Sequence, residues 1–419
     1  MPKHFNKFLT EWKIARRLYF SQEGKATTSR PAVRVALGGI IIGVLVMIIS
    51  ICVVVGFKTE VQQKVAGFGG HIQVVSFENN DTYEHHPIVA SDSLLNTLKK
   101  LPHIKQVSTF ATKPGVLKTK NDFQGIVFKG TDYWDYYAEN LVSGSLPKGA
   151  NDVLVSTVLA NQLQLTLGDD VLCYFVQDKQ SEQNALRVRK FHITGLYNTS
   201  MNEMDRLFVL GKIEMVRQLN CWKAQQVSGI ELLVDNLEHL DEAAGNVYDA
   251  TANRLDEEGG ALYTQTLQQS NPQIFGWLDL LDMNVLIIII LMLCVSGFSI
   301  ITGLVILILE NITLIGTLKA LGATNRFVRR VFIFEAILLV GKGLLIGNIL
   351  GLGIVTLQYF TKALPLDAAT YYVSYVPMAF PWGWLVMLNI GVLLVAWLIM
   401  ILPSAIVAKI TPSKVMHFE

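Results

Sequence analysis

Charge is scarce in this sequence: only 16% of its 419 residues are Asp, Glu, Lys or Arg, while 51% are hydrophobic. That balance argues against an ordinary soluble globular chain and fits a membrane protein. Catalytic signatures are missing too. There is no G-x4-GK-[ST] phosphate loop, because Gly341-Lys342 is followed by another glycine inside an apolar run. Neither a nucleophile elbow nor a metal-ligand spacing is present, and His85-His86 stand as an isolated pair in a polar loop, expected to face solvent. The chain is therefore expected to be non-catalytic, with no cofactor or metal of its own and no nucleic-acid partner. Cysteines number four: Cys52 and Cys294 in apolar runs, Cys173 and Cys221 outside them. The outer two either pair in an oxidising compartment or remain thiols, and two residues favour the thiols.

What the sequence does have is four long apolar runs. Val35 to Gly56 is 22 residues without a charge, enough at about 1.5 Å per residue to cross the roughly 30 Å hydrocarbon core. The runs predict spans at 35–57, 283–309, 331–360 and 382–408. Around them lie an N-terminal segment (1–34), a large domain (58–282), a short connection (310–330), a loop (361–381) and a tail (409–419). The first run ends in Val-Val-Val-Gly with no small-x-small cleavage pattern, so it is expected to stay as an anchor.

Charge distribution sets the orientation. Residues 58–282 hold 19 Lys/Arg against 28 Asp/Glu, and the remainder holds 16 against 6. The short segments before the first span and between the second and third carry eight and four Lys/Arg, against Lys362 alone between the third and fourth. By the positive-inside rule both termini are cytoplasmic and the large domain is extracytoplasmic. Phe5, Phe8, Leu9, Trp12, Ala15 and Tyr19 recur at helical spacing, predicting an amphipathic helix at the inner interface.

The large domain reads as α+β. Strands are expected at His71–Phe77, Val107–Leu117, Phe123–Gly130, Asp152–Ser156, Val171–Gln177, Val188–Tyr197, Leu207–Leu210, Gly229–Asp235 and Leu262–Leu267. Helices are expected at Ser91–Lys100, Thr157–Leu165, Gly211–Asn220 and Glu238–Glu257. This interleaving argues for two subdomains. Ser270-Asn271-Pro272 is an N-cap followed by a first-turn proline, so a helix starting there is expected to run unbroken into the second span.

Small residues recur four apart in the spans: Gly39 and Gly43 in the first, Ser299 and Gly303 in the second, and a ridge of Gly343, Gly347 and Gly351 in the third. Such spacing lets helix backbones approach closely. Glu335 and Lys342 are the charges within the spans; seven residues apart, they are expected to share a face and pair. The connection between spans two and three, ENITLIGTLKALGAT, places Leu314, Ile315, Leu318 and Leu321 along one helical face, with Gly322 as a C-terminal stop. Either a partner or the lipid headgroups must cover that face.

This connection carries a resemblance. Glu310 followed by Ile315-Gly316 and then Leu318-Lys319-Ala320-Leu321-Gly322-Ala323-Thr324, with Phe332, Glu335 and the glycine ridge beyond, is similar to the signature of the FtsX/MacB/LolC-LolE superfamily of ABC-transporter permeases. The resemblance implies that the segment is a coupling helix held in a groove of an ATPase subunit, which binds ATP and Mg on its own chain. It also implies a MacB-like periplasmic core for the large domain. Leu364-Pro365-Leu366-Asp367, Tyr371-Tyr372-Val373 and Pro377 resemble the LolC/LolE branch, as do Gly56-Phe57, Asn151 to Ser156, Phe191 to Gly195 and the ending Pro403-Ser404-Ala405. Ser413-Lys414 depart from the usual acid-containing close.

In that branch two permease chains, identical or different, meet an ATPase dimer inside and hold a triacylated lipoprotein in an apolar cavity before passing it to a periplasmic carrier. Uncharged faces of spans one and two would line that cavity. Gln177 to Arg187, at the place of the LolC branch's carrier-docking hairpin, is polar and lacks proline, a departure that argues against carrier docking by this chain and for a homodimeric or LolE-like role. The alternatives within the superfamily are a mechanotransmitter that activates a cell-wall hydrolase and a MacB-like efflux permease.

Overall fold

The computed structural model describes residues 12–17, 30–79, 85–119, 122–176, 186–252 and 259–400. They fall into two compact units: an α/β unit of Thr59–Trp277 with Pro365–Tyr375, and a helical unit made of the rest.

Among the described residues, four helices are long and apolar enough to cross a membrane: Arg30–Gly69, Pro272–Glu310, Asn325–Thr361 and Trp382–Ile399. The first continues as helix beyond the span ending at 57 to Gly69, and the second begins at Pro272, a proline in the first turn where its missing N–H costs nothing. The third starts at Asn325, capped by the Thr324 side chain, which accepts from the Phe327 N–H. The expected tail and the end of the fourth span lie outside the described residues. So does most of the expected N-terminal helix, of which 12–17 is helical. There Trp12 meets Phe334 of the third long helix edge-on, with ring centroids 5.7 Å apart.

The helical core follows from spacing. Ile40, Val44, Met47, Ile48 and Cys52 are buried on the first helix, three to four residues apart, so they form one stripe. Facing them on the third helix are the three glycines of the ridge. A Cβ added at Gly343 would lie 2.7 Å from Ile40 Cγ2, at Gly347 2.9 Å from Val44 Cβ, and at Gly351 3.3 Å from Ile48 Cβ. Each glycine thus makes room for one branched side chain opposite. Gly39 and Gly43 likewise stand against Ser299 and Ser296 of the second helix, and Gly303 against Ala36.

The α/β unit holds twelve strands: β1 (Ile72–Ser76), β2 (Ile88–Val89), β3 (Ile104–Lys118), β4 (Phe123–Thr131), β5 (Leu141–Gly144), β6 (Asp152–Ser156), β7 (Asp170–Val176), β8 (Leu186–Tyr197), β9 (Phe208–Lys212), β10 (Gln226–Val227), β11 (Gly229–Val234) and β12 (Leu262–Thr266). Ten form one sheet in the order β12-β1-β11-β3-β4-β9-β6-β8-β5, and β7 bonds to both β3 and β8. The path β3-β4-β9-β6-β8-β7 therefore returns to β3 as a closed six-stranded ring.

β3 is long enough to serve two groups on one edge. Its first half pairs with β11 through Phe110, its last four residues with β7 from Gly115. Pro114, which has no N–H to donate, stands at the change of partner, where a proline is least costly. Phe128, Phe175 and Phe191 pack together, with Phe128 and Phe191 stacked at 4.8 Å. Gly115 and Gly211 leave space for two of these rings: a Cβ would meet Phe175 at 2.7 Å and Phe128 at 2.5 Å respectively.

Two buried features lie beside the ring. Phe68, at the end of the first long helix, packs against Tyr136, Tyr137 and Phe208. Lys129 and Glu231 form a buried ion pair at 2.7 Å beside a cavity of about 110 Å³ that also touches His85, Thr112, Asn271 and Phe110. His85 is accordingly not the solvent-facing residue expected. It is largely buried with its ring edge-on to Phe110, and burial first, then the charge of Lys129, holds its pKa down at about 4.

Residues Pro365–Tyr375 fold back as a hairpin-like loop, with Pro365 bridged to Tyr375 and the Leu366 N–H on the Ser374 carbonyl. Tyr372 sits against Trp277 at 6.0 Å, and its carbonyl accepts from Lys64 Nζ at 3.0 Å.

Candidate functional site

The connection between the second and third long helices holds a short helix, Ile312–Ala320, narrower than the expected 310–330. Glu310 closes the helix before it. The short helix stops where expected, and by a defined device: Gly322 has φ +88, its N–H bonds the Lys319 carbonyl at 3.0 Å, and the Ala323 N–H reaches the Leu318 carbonyl at 2.9 Å. This six-to-one, five-to-two pair is a Schellman cap, which needs a left-handed residue and so favours glycine.

The helix does not present one apolar face to the outside, as its spacing predicts. Ile315 is 0% exposed and packs into the core with Phe332 and Val328, and Gly316 is buried beside it. Leu318 and Ala323 are half-buried against the same core, and Leu314 is half-buried. Of the four predicted apolar residues only Leu321 stands out, at 80% exposure. The reason is the third helix, whose first turns from Val328 to Phe332 supply the cover that the sequence left unassigned. What remains outward is a rim of Thr313, Thr317, Ala320, Leu321, Gly322 and, beyond it, Arg326 and Arg330. Lys319 lies beside this rim, half-buried, and desolvation lowers its pKa.

Glu335 and Lys342 do not pair. Glu335 is fully buried with neither carboxylate oxygen hydrogen bonded among the described residues, while Lys342 lies on the exposed side. The buried stripe of this helix advances by fours through Glu335, Leu339, Gly343 and Gly347. At about 100° per residue it turns roughly 80° between Glu335 and Gly343, so Lys342 is left off it.

Two polar contacts in the spans were not anticipated. Asn348 and Asn389 exchange reciprocal amide hydrogen bonds at 2.7 and 3.1 Å between the third and fourth long helices. Gln358 accepts from the Leu364 N–H and donates to the Val376 carbonyl, both at 3.2 Å, closing the end of the third helix onto the following loop. Their signal was an amide inside an apolar run. Gly56 meets that loop directly, since a Cβ there would lie 2.8 Å from the Ala379 nitrogen and the Pro377 oxygen.

The second long helix differs from the first. It leaves Met283, Leu286, Ile287, Ile290, Leu291 and Phe298 exposed, a stripe at spacings of three and four. Lys58 binds Asp282 at 2.5 Å just before this stripe begins.

In the α/β unit no disulfide joins Cys173 and Cys221: the first is buried in β7, with its pKa raised by burial to about 12, and the second is exposed. The sequence showed no metal-ligand spacing because 132 residues of chain separate His103 from Asp235, yet the fold gathers these two with His239. Residues 177–185, at the place of the family's docking hairpin, lie outside the described residues, and β7 and β8 on either side pair antiparallel from Val176 and Leu186.

Two family models match the sequence. Residues 35–248 match the MacB-like periplasmic core domain family, and residues 286–412 match the FtsX-like permease C-terminal family. The chain is 23% identical over 398 residues to the lipoprotein-releasing system transmembrane protein LolE of Haemophilus influenzae, covering 90% of this chain and 92% of that protein. It is 22% identical over 396 residues to the LolC protein of the same system from Xylella fastidiosa, covering 91% and 92%. The solved periplasmic region of MacB from Actinobacillus actinomycetemcomitans aligns with a TM-score of 0.33 at 15% identity, over 50% of this chain and 95% of that one.

Proposed function

The chain belongs to the permease family that joins a MacB-like periplasmic core domain to an FtsX-like C-terminal domain, and from that premise we propose that it is the permease subunit of an ABC transporter that releases lipoproteins from the inner membrane. Support comes from relatives named for lipoprotein release that align over about nine-tenths of both chains. The observation that carries the reading is the bare stripe on the second long helix. Among the described residues, six large apolar side chains from Met283 to Phe298 are each half or more exposed. An acyl chain leaving the bilayer needs such a surface, since each methylene returned to water costs about 0.8 kcal/mol.

The energy comes from elsewhere, because this chain has no phosphate loop. A separate ATPase dimer, holding ATP and Mg, would take the rim around Leu321 in its groove, with Arg326 and Arg330 supplying charge at the edge. A second permease chain, identical or LolC/LolE-like, completes the cavity. In this reading the termini are cytoplasmic, the α/β unit is periplasmic, and a periplasmic carrier receives the cargo.

A photocrosslinking side chain placed at Ile287 or Ile290 in the full complex tests the proposal. Capture of a mature lipoprotein at these positions, lost when the ATPase turns over, is the expected result. Lipoproteins leaving the inner membrane at the normal rate after depletion of this chain would overturn it.

A further inference from the structure

One cluster in the α/β unit lies outside everything described so far as permease machinery. His103 occupies the turn before β3 in the left-handed region, at φ 64, a conformation that His adopts more readily than most residues. Asp235 follows β11, and its N–H bonds the His103 carbonyl at 3.0 Å, so the end of β11 and the start of β3 are locked together. His239 comes four residues after Asp235, at the end of the 3-10 turn Leu237–His239 that leads into helix Leu240–Thr251. The three side chains meet closely. His103 Nδ1 lies 3.2 Å from one Asp235 oxygen, His239 Nδ1 lies 3.3 Å from the other, and the two imidazole rings are 3.9 Å apart between centroids. Behind His103, its Nε2 faces Glu242 at 3.9 Å.

The donor atoms suit a cation: the two Nδ1 lone pairs and an Asp235 oxygen can turn to one ion, and each neutral imidazole then carries its single hydrogen on Nε2, which for His103 faces Glu242. A carboxylate behind a ligating histidine is the usual outer partner that fixes the ring.

We propose that His103, His239 and Asp235 bind a divalent transition-metal ion of the Zn2+ class on the surface of the α/β unit, with Glu242 as a positioning residue behind His103. The donor set is two imidazoles and a carboxylate, which suits Zn2+, Ni2+ or Cu2+ rather than Mg2+ or Ca2+. The donor atoms already lie within 4.8 Å of one another. Tetrahedral ligation at 2.0–2.1 Å puts ligand atoms about 3.3 Å apart, so closure asks for movements on the order of 1 Å. All three side chains are partly exposed, which leaves the ion an entry path and room for water as a further ligand. Once bound, the metal ties β3, β11 and helix Leu240–Thr251 together.

The test uses the tag-free full chain in detergent, stripped with a chelator and titrated with Zn2+ against a chromophoric competitor, and with Co2+ as a spectroscopic probe. One Zn2+ per chain and a Co2+ ligand-field band are expected. The double variant His103→Asn, His239→Gln removes both, Asn being chosen because it tolerates the left-handed backbone. Glu242→Gln keeps the Co2+ band but weakens Zn2+ binding about tenfold. His86→Gln, an exposed histidine elsewhere, leaves both unchanged. Melting in the chelator controls for folding: with equal melting there, only the native chain gains stability on adding Zn2+. Should Asp235→Asn or the double variant retain Zn2+ as tightly as the native chain, or should the native chain hold none, the cluster is a hydrogen-bonded carboxylate and two imidazoles only, and the proposal fails.

Discussion

Replacing the ridge glycines by alanine should give a graded response that follows the distance to the facing side chain. Alanine is the better helix former by about 1 kcal/mol, so a glycine with open space around it gains on substitution. Gly353 is such a position, with nothing within 4 Å of an added Cβ. At Gly347 the same methyl would stand 2.9 Å from Val44 Cβ and 3.2 Å from the Ile41 carbonyl oxygen. Neither can retreat easily, one being the root of a stiff β-branched side chain and the other backbone. Overpacking of this kind costs about 1–3 kcal/mol, which outweighs the propensity gain. Gly343→Ala meets the Cγ2 of Ile40 at 2.7 Å and should behave similarly, while Gly351→Ala, at 3.3 Å from Ile48, should lie near neutral.

Between Gly353→Ala and Gly347→Ala, which share the propensity gain, the expected gap is therefore the overpacking cost of roughly 1–3 kcal/mol, read by denaturant titration of the purified chain in detergent. Val44→Ala should soften Gly347→Ala, because it removes Val44 Cγ1, 3.0 Å from the added methyl. A double-mutant cycle measures that coupling. Equal stability of the Gly347 and Gly353 variants, or no coupling with Val44, would refute the packing argument.

Leu321→Asp should leave the chain folded and abolish co-purification of the ATPase, whereas Ile315→Asp, buried in the core, should cost folded protein itself; expression and pull-down together separate the two. Asn389→Leu removes the reciprocal amide pair and should cost about 1 kcal/mol in a detergent unfolding titration, while Asn348 keeps its bond to the Leu344 carbonyl. His71 is a pH-sensitive joint: its Nδ1 accepts from the Val234 N–H, and burial, then the charge of Lys105, lowers its pKa from 6.5 to about 4. The folded chain therefore excludes a proton that the unfolded chain takes up, so its stabilisation is full above pH 6.5 and fades as pH falls towards 4, by up to about 3 kcal/mol. His71→Leu should flatten this part of the stability-against-pH curve.

Short-range patterns carried much of the fold. Val188 to Tyr197 alternates and is a strand, Asn271-Pro272 starts a helix and does so, and the expected helices at 91–100, 157–165 and 211–220 each fall within two residues of an observed one. β2, β5, β10 and the helix Asp135–Glu139 were too short for a period to register. The change of partner along β3 was invisible for another reason: one continuous strand looks the same whether it serves one neighbour or two. In the candidate site, the stop at Gly322 was local and legible. The burial of Ile315 was not, because its cover comes from Val328 and Phe332 on the next helix. The same limit hid the histidine cluster: His239 is local to Asp235, but His103 joins them only through the register of β3 and β11.

Pro365–Tyr375 is made after the third long helix, yet it completes a unit whose other residues are Thr59–Trp277. During synthesis that unit must wait, with Lys64, Trp277 and Ser200 lacking their contacts to Tyr372 and Ser374, until some ninety later residues have emerged. An excised fragment of residues 59–277 would lack those contacts altogether. A designer seeking a soluble piece should graft the eleven-residue loop back onto it.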